Sequence, residues 1–219
     1  MTDPAARSQR QQAVADLKRG LILDAARRVF ERDGLDGASM RAIAREAGYA
    51  AGALYFHFDS KEAVYSALLQ DSLDRLALAV DSAVQGAGLD DPAARLRVAA
   101  LGFFDFYAAH PRDLDLGFYL FRGGMQPRGL SPDLNRDLNR RLESALAPIA
   151  SAARALGAGE DAARAALADV FGHAVGLLLL QHTRRIRLFG CDARALMADH
   201  AAAVASRLAC AAYDPCRSA

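Results

Sequence analysis

Apolar positions recur with helical spacing along most of the chain, and glycine, proline and capping residues divide it into about nine helices. The first stripe, Ile22, Ala25, Val29 and Phe30, predicts a helix over 16–33 that Gly34 ends as a left-handed C-cap. Ser39, a good N-cap, opens a short second helix that stops at Gly48, and a very short third follows over 50–56. Asp59-Ser60-Lys61-Glu62 resembles a capping box, with Asp59 as the cap. It introduces a long fourth helix striped by Val64, Leu68, Leu69, Leu73, Leu76 and Val80. Asp91-Pro92 and Ser131-Pro132 each place a cap before a proline at the first helical position, predicting helices over 92–110 and 132–156. Pro148 is expected to kink or divide the latter. A short aromatic helix over 112–122 lies between them, closed by Gly123-Gly124, and two further helices span 160–185 and 193–212 around Gly190. The polar residues 1–15 read as a flexible arm and 213–219 as a tail.

Composition agrees with an all-α chain. Val, Ile and Thr together number only 15 of 219 residues, while alanine and leucine dominate. At 53% hydrophobic and 24% charged, the chain is long enough to bury a core in one or two domains. The apolar run from Ala174 to Leu180 is seven residues, and no uninterrupted run approaches the roughly 18 that a membrane helix needs. No membrane partner is expected, and the polar start (MTDPAARSQRQQ) has no apolar signal segment. Cys191, Cys210 and Cys216 are odd in number and show no CxxC spacing, which points to a cytoplasmic protein without disulfide scaffold or structural zinc; no cofactor is expected. A redox role for one of them is a subsidiary reading. The net charge of +1 gives nucleic-acid binding no support, so that case must rest on where residues sit.

One segment carries such a case, SMRAIAREAGYAAGALYFHF from Ser39 to Phe58. Small Ala44 four residues before Gly48 lets a second helix cross closely, and Gly48 supplies the positive φ of a tight turn. Ile43, Ala47 and Leu54 fall where the two helices share a core. The layout is that of a helix-turn-helix, whose second helix can enter a major groove. Spacing alone equally fits a mere packing corner.

The segment from Leu21 to Val64 resembles the TetR family of bacterial transcriptional regulators. The resemblance rests on Ile22, Ala25, Phe30, Gly34, Gly37, Ser39, Ile43-Ala44, Ala47-Gly48, Gly52, Leu54-Tyr55, His57-Phe58 and Ser60-Lys61-Glu62. It implies an all-helical homodimer with an N-terminal DNA-binding domain, here 16–62, and an effector-binding and dimerisation domain over 63–212. Carried over by position, Ser39 caps the second helix and touches a phosphate, with Arg41 beside it. Tyr55, His57 and Lys61 fall where the family grips the DNA backbone. Tyr49, Ala50, Ala51 and Gly52 form the exposed start of the recognition helix. His57 is equally a structural histidine. Lys61 stands in the first turn of a helix, where the dipole disfavours a cation, and a phosphate partner would explain it. Ala50, Ala51, Gly52 and Ala53 offer bases almost no hydrogen-bonding groups, so reading must come from Tyr49, Arg41, thymine methyl contacts or DNA shape. Arg7 and Arg10 either add contacts from the arm or make none.

Beyond that segment the chain carries no named motif. Seven of its 16 Phe and Tyr residues fall between Phe103 and Phe121. Phe103, Phe106, Tyr107, Phe118 and Phe121, with Met125 as an adaptable filler and His173 as a polar group, are candidates for lining a pocket for a small apolar or aromatic effector. Ordinary core packing is the competing reading for each. Ala168, Gly172, Gly176 and Leu180 form a small-residue face, the candidate homodimer contact. An enzyme is the main rival class. His110, His173, His182 and His200 lie in unrelated contexts, however, and no HExxH, P-loop, GxSxG or telling carboxylate pair is present. A plain helical interaction protein would leave the Ser39–Lys61 constellation unexplained. The expectation is a ligand-responsive repressor that binds a palindromic double-stranded operator as a homodimer.

Overall fold

The computed structural model describes residues 4–88, 90–117 and 131–212. Among them are nine α-helices and no strand, as the composition requires. They are α1 (Pro4–Gly37), α2 (Met40–Ala47), α3 (Ala51–Leu54), α4 (Lys61–Ala87), α5 (Pro92–Ala109), α6 (Pro111–Gly117), α7 (Pro132–Ala155), α8 (Glu160–His182) and α9 (Ala193–Ala212). A 3-10 segment, Arg185–Phe189, joins the last two. The chain forms two compact units, one of residues 1–71 with 116–136 and one of 72–115 with 137–219. The division between these units falls inside α4. The first turns of α4 belong to the N-terminal core: Val64, Tyr65 and Leu68 are buried there, and the Tyr65 ring meets Phe30 edge-on at 5.7 Å.

In the first unit, α1 starts at Pro4, so residues expected to form an irregular arm are helical. Proline in the first turn presets φ, and the alanines, glutamines and arginines that follow are good helix formers with no breaker before Gly20. The expected face, Ile22, Ala25, Val29 and Phe30, is buried against α2. At Gly34 the backbone takes φ 71 and ψ 175. The positive φ is as expected, but ψ is extended, a conformation essentially reserved for glycine. Ser39 Oγ accepts the Ala42 N–H at 3.1 Å and caps α2. At the far end of α2 the Tyr49 N–H reaches Ala44 O and the Gly48 N–H reaches Arg45 O, a Schellman closure with Gly48 at φ 74.

One capping expectation is corrected. α4 begins one residue later than the capping box requires, and Ser60, not Asp59, is its cap, with Oγ accepting the Ala63 N–H at 3.1 Å. Ala63 then occupies the third helical position, so Glu62 has no part in a box. Its carboxylate still lies in the first turn, where the dipole favours it.

In the second unit α5 packs against both α8 and α9. Asp91 caps α5 by accepting two N–H groups, from Ala93 and Ala94. Gly102 marks a close approach of α5 to α4, since an added Cβ would lie 3.3 Å from Ala83 Cβ and 3.4 Å from Val80 Cα. Pro148 does not divide α7, which runs unbroken from Pro132 to Ala155. Ala145, Leu146, Ile149 and Ala150 around it are buried, and their packing offsets the one ladder hydrogen bond that proline removes. α8 is long and apolar enough by composition to cross a bilayer, which its seven-residue apolar run did not suggest. Its apolar residues are divided between an inner face, including Val170, Ala174 and Leu178, and an outer one.

Candidate nucleic-acid interface

The turn at Gly48 sets α3 against α2, with Ile43, Ala44 and Leu54 almost wholly buried between them. Ala47 is half-buried at the same seam. Leu54 and Phe58, four residues apart, both point into the core, so the three residues between them face outward. Tyr55 is 56% exposed, so its ring is no part of the core. Phe56 is 90% exposed and was not among the sequence candidates. The inward spacing of Leu54 and Phe58 was the available signal for it. His57 is half-buried.

Ser39, Arg41, Ala50 and Gly52 are exposed, while Tyr49 and Ala51 are half-buried at the start of α3. Arg45, one turn along α2 from Arg41, is exposed as well and extends the basic character of this face. Glu46, on the same helix, is held by Arg28 at 2.8 Å and Arg32 at 3.6 Å; the Arg28 hydrogen bond keeps its carboxyl below the usual range. The guanidinium of Arg19 lies over the Phe58 ring at 4.4 Å. Lys61 has a partner within the fold: its ammonium donates to Ala38 O at 3.2 Å. That contact answers the dipole question without DNA, and a lysine ammonium has further protons to offer a phosphate. Ser39, Arg41, Tyr49 and Tyr55 thus lie on or beside α2 and α3, Lys61 opens α4, and the start of α3 carries only small residues.

In the second unit the aromatic residues form a ladder. Phe103 meets Tyr107 at 5.1 Å and Phe171 at 5.6 Å, Tyr107 meets Phe106 at 5.2 Å, and Phe106 meets His110 at 4.7 Å. Phe118, Phe121 and Met125 lie outside the described residues. His173 does not join the ladder. Its ring stacks on His200 of α9, with centroids 3.8 Å apart and planes 10° from parallel. Helical spacing put His173 on α8 but could not say which neighbour that face meets. His200 Nε2 is 3.2 Å from Asp169 Oδ1, off the hydrogen-bonding direction, so the Nε2 atoms of both rings are buried without a hydrogen bond. Burial, then His200, pushes the His173 pKa down. Two parallel rings send their lone pairs along parallel lines, which does not suit one shared metal ion. No metal-ligating group of three occurs among the described residues.

The small-residue face of α8 is open within the chain. Ala168, Gly172 and Gly176 are exposed, Leu180 is half-buried, and a Cβ added to either glycine would meet nothing within 4 Å. Leu179 beside them is 55% exposed.

A two-helix corner with a short, outward-facing second helix defines a helix-turn-helix protein. Residues 22–68 match the family described as bacterial regulatory proteins, tetR family. A transcriptional activator, FasR of Mycolicibacterium smegmatis, is 42% identical over 91 residues, 42% of this chain and 41% of its own. The transcriptional repressor KstR2 of Rhodococcus jostii is 42% identical over 59 residues, 27% of this chain and 29% of its own. The matches thus span less than half the length of these curated relatives. The fold extends further: the regulator FadR of Bacillus subtilis, solved with stearoyl-CoA, has a TM-score of 0.64 at 19% identity, covering 85% of this chain and 97% of its own.

Proposed function

We propose that the protein is a ligand-responsive transcriptional repressor that binds a palindromic operator as a homodimer. The observation that supports this reading best is the outward face of the helix-turn-helix, where Arg41, Tyr49, Tyr55 and Lys61 surround a small-residue helix start. In this reading Ser39, Tyr55, His57 and Lys61 position the protein on phosphates, and Tyr49 and Arg41 read bases beside close backbone approach at Ala50, Ala51 and Gly52. Dimerisation uses the open α8 face of Ala168, Gly172, Gly176 and Leu180 together with α9. A small apolar effector, held near Phe103, Phe106 and Tyr107, shifts α4 and respaces the two reading heads, which weakens operator binding. Stearoyl-CoA, with which FadR was solved, carries a long apolar acyl chain of the kind such aromatics could hold. Selection of duplexes from random DNA tests the reading. It predicts a recovered palindrome, bound by two chains, that represses transcription when placed at a promoter. Recovery of no preferred sequence overturns it.

A further inference from the structure

Asp113 on α6 is the one charged side chain that is buried among the described residues, at 4% exposure. Arg75 on α4 pairs with it at 2.9 Å. The arginine itself is about one-third exposed, and its guanidinium also lies 5.9 Å from the centroid of the Phe106 ring. Next to Phe106 in the aromatic ladder, Tyr107 is 3% exposed. Its phenol is pushed up by burial and by the Asp113 carboxylate, with Arg75 pulling the other way. A second observation is independent of that pair. Ser72, three residues before Arg75 on the same side of α4, is wholly buried and its Oγ has no hydrogen-bond partner. Buried hydroxyls are normally paired, so an orphan one helical turn from Arg75 is a polar group that a ligand could satisfy.

We infer that Arg75 is the receptor for the anionic head group of an amphiphilic ligand whose apolar part packs against Phe103, Phe106 and Tyr107. The head group is a carboxylate or a phosphate, both of which match the guanidinium fork. The inference rests on the reading of the second unit as effector-binding, and it assigns the chemistry of the effector. In the free protein Asp113 occupies the fork as an internal stand-in. A ligand anion takes its place, and repulsion between that anion and the buried Asp113 carboxylate drives α6 away from α4. The same short helix is tied to the first unit's part of α4 by Tyr65, whose Oη donates to Leu116 O.

Calorimetric titration with oleate, oleoyl-CoA and the uncharged methyl oleate tests this on the full chain. Wild type should bind at least one of the two anionic probes more tightly than the ester. Preference for oleate identifies a carboxylate site, and preference for oleoyl-CoA a phosphate site. Asp113→Asn removes the competitor and should tighten the anionic probe about tenfold, whereas Arg75→Gln should weaken it by about tenfold, the ester being unaffected by either. Arg75→Lys, which keeps the charge but not the fork, should fall between Arg75→Gln and wild type and serves if Arg75→Gln fails to fold. A purely structural ion pair would make both variants less stable and shift their affinities alike, or not at all. That result, or failure of both anionic probes to bind, overturns the proposal. DNA binding is measured separately: its loss would sink the regulator reading, while intact DNA binding with a negative titration removes the anion site alone.

Discussion

At the scale of single residues, the proposed interface separates groups that position from groups that read. Tyr55→Phe deletes one hydroxyl from a 56% exposed side chain, so the melting temperature should be unchanged. Operator affinity should fall by about 1 kcal/mol per site, with the ranking of operator variants preserved. Lys61→Ala should behave differently because its ammonium also binds Ala38 O. Loss of one cation from each of two subunits should make the slope of log affinity against log salt shallower by roughly 2. A lower melting temperature with an unchanged slope would mean that the lysine only ties Ala38 to α4. His173 gives a pH dependence. Its pKa is lowered in the fold, so the neutral ring stabilises the native state above the ordinary histidine pKa of about 6.5, and stability is lost as pH falls below it. His173→Phe should flatten the decline in melting temperature on that acid side, and an unflattened decline would assign it to other groups.

At the scale of elements, the open face of α8 carries the assembly prediction. Gly176 has nothing within 4 Å of an added Cβ, so a side chain can start there without a clash in the isolated chain. In a close helix contact Gly176→Leu should overpack the dimer by on the order of 1–3 kcal/mol, raising the monomer fraction in sedimentation. An unchanged dimer would place the interface elsewhere. What the sequence made legible follows from local physics. Ser39, Gly48, Asp91 and the stripe from Val64 to Val80 act within one helix or one turn, and their roles were readable from spacing. The division expected at Pro148 and the cap expected at Asp59 failed because packing or a one-residue shift decided them. His173 depended on which helix faced it. The outward Phe56 was readable in principle, since Leu54 and Phe58 flank it and both turn inward.

At the scale of the molecule, a chain with a net charge of +1 binds DNA only if its charges are arranged for it. The helix-turn-helix supplies that arrangement by neutralising Glu46 with Arg28 while Arg41 and Arg45 face outward. The most direct test of the account is the affinity of the intact protein for duplexes selected from random DNA, measured against an unselected duplex across a salt series. The account predicts a palindromic winner bound by two chains, at least about a thousandfold tighter than unselected DNA, with affinity falling steeply as salt rises. Equal affinity for selected and unselected duplexes, or none for either, would contradict it.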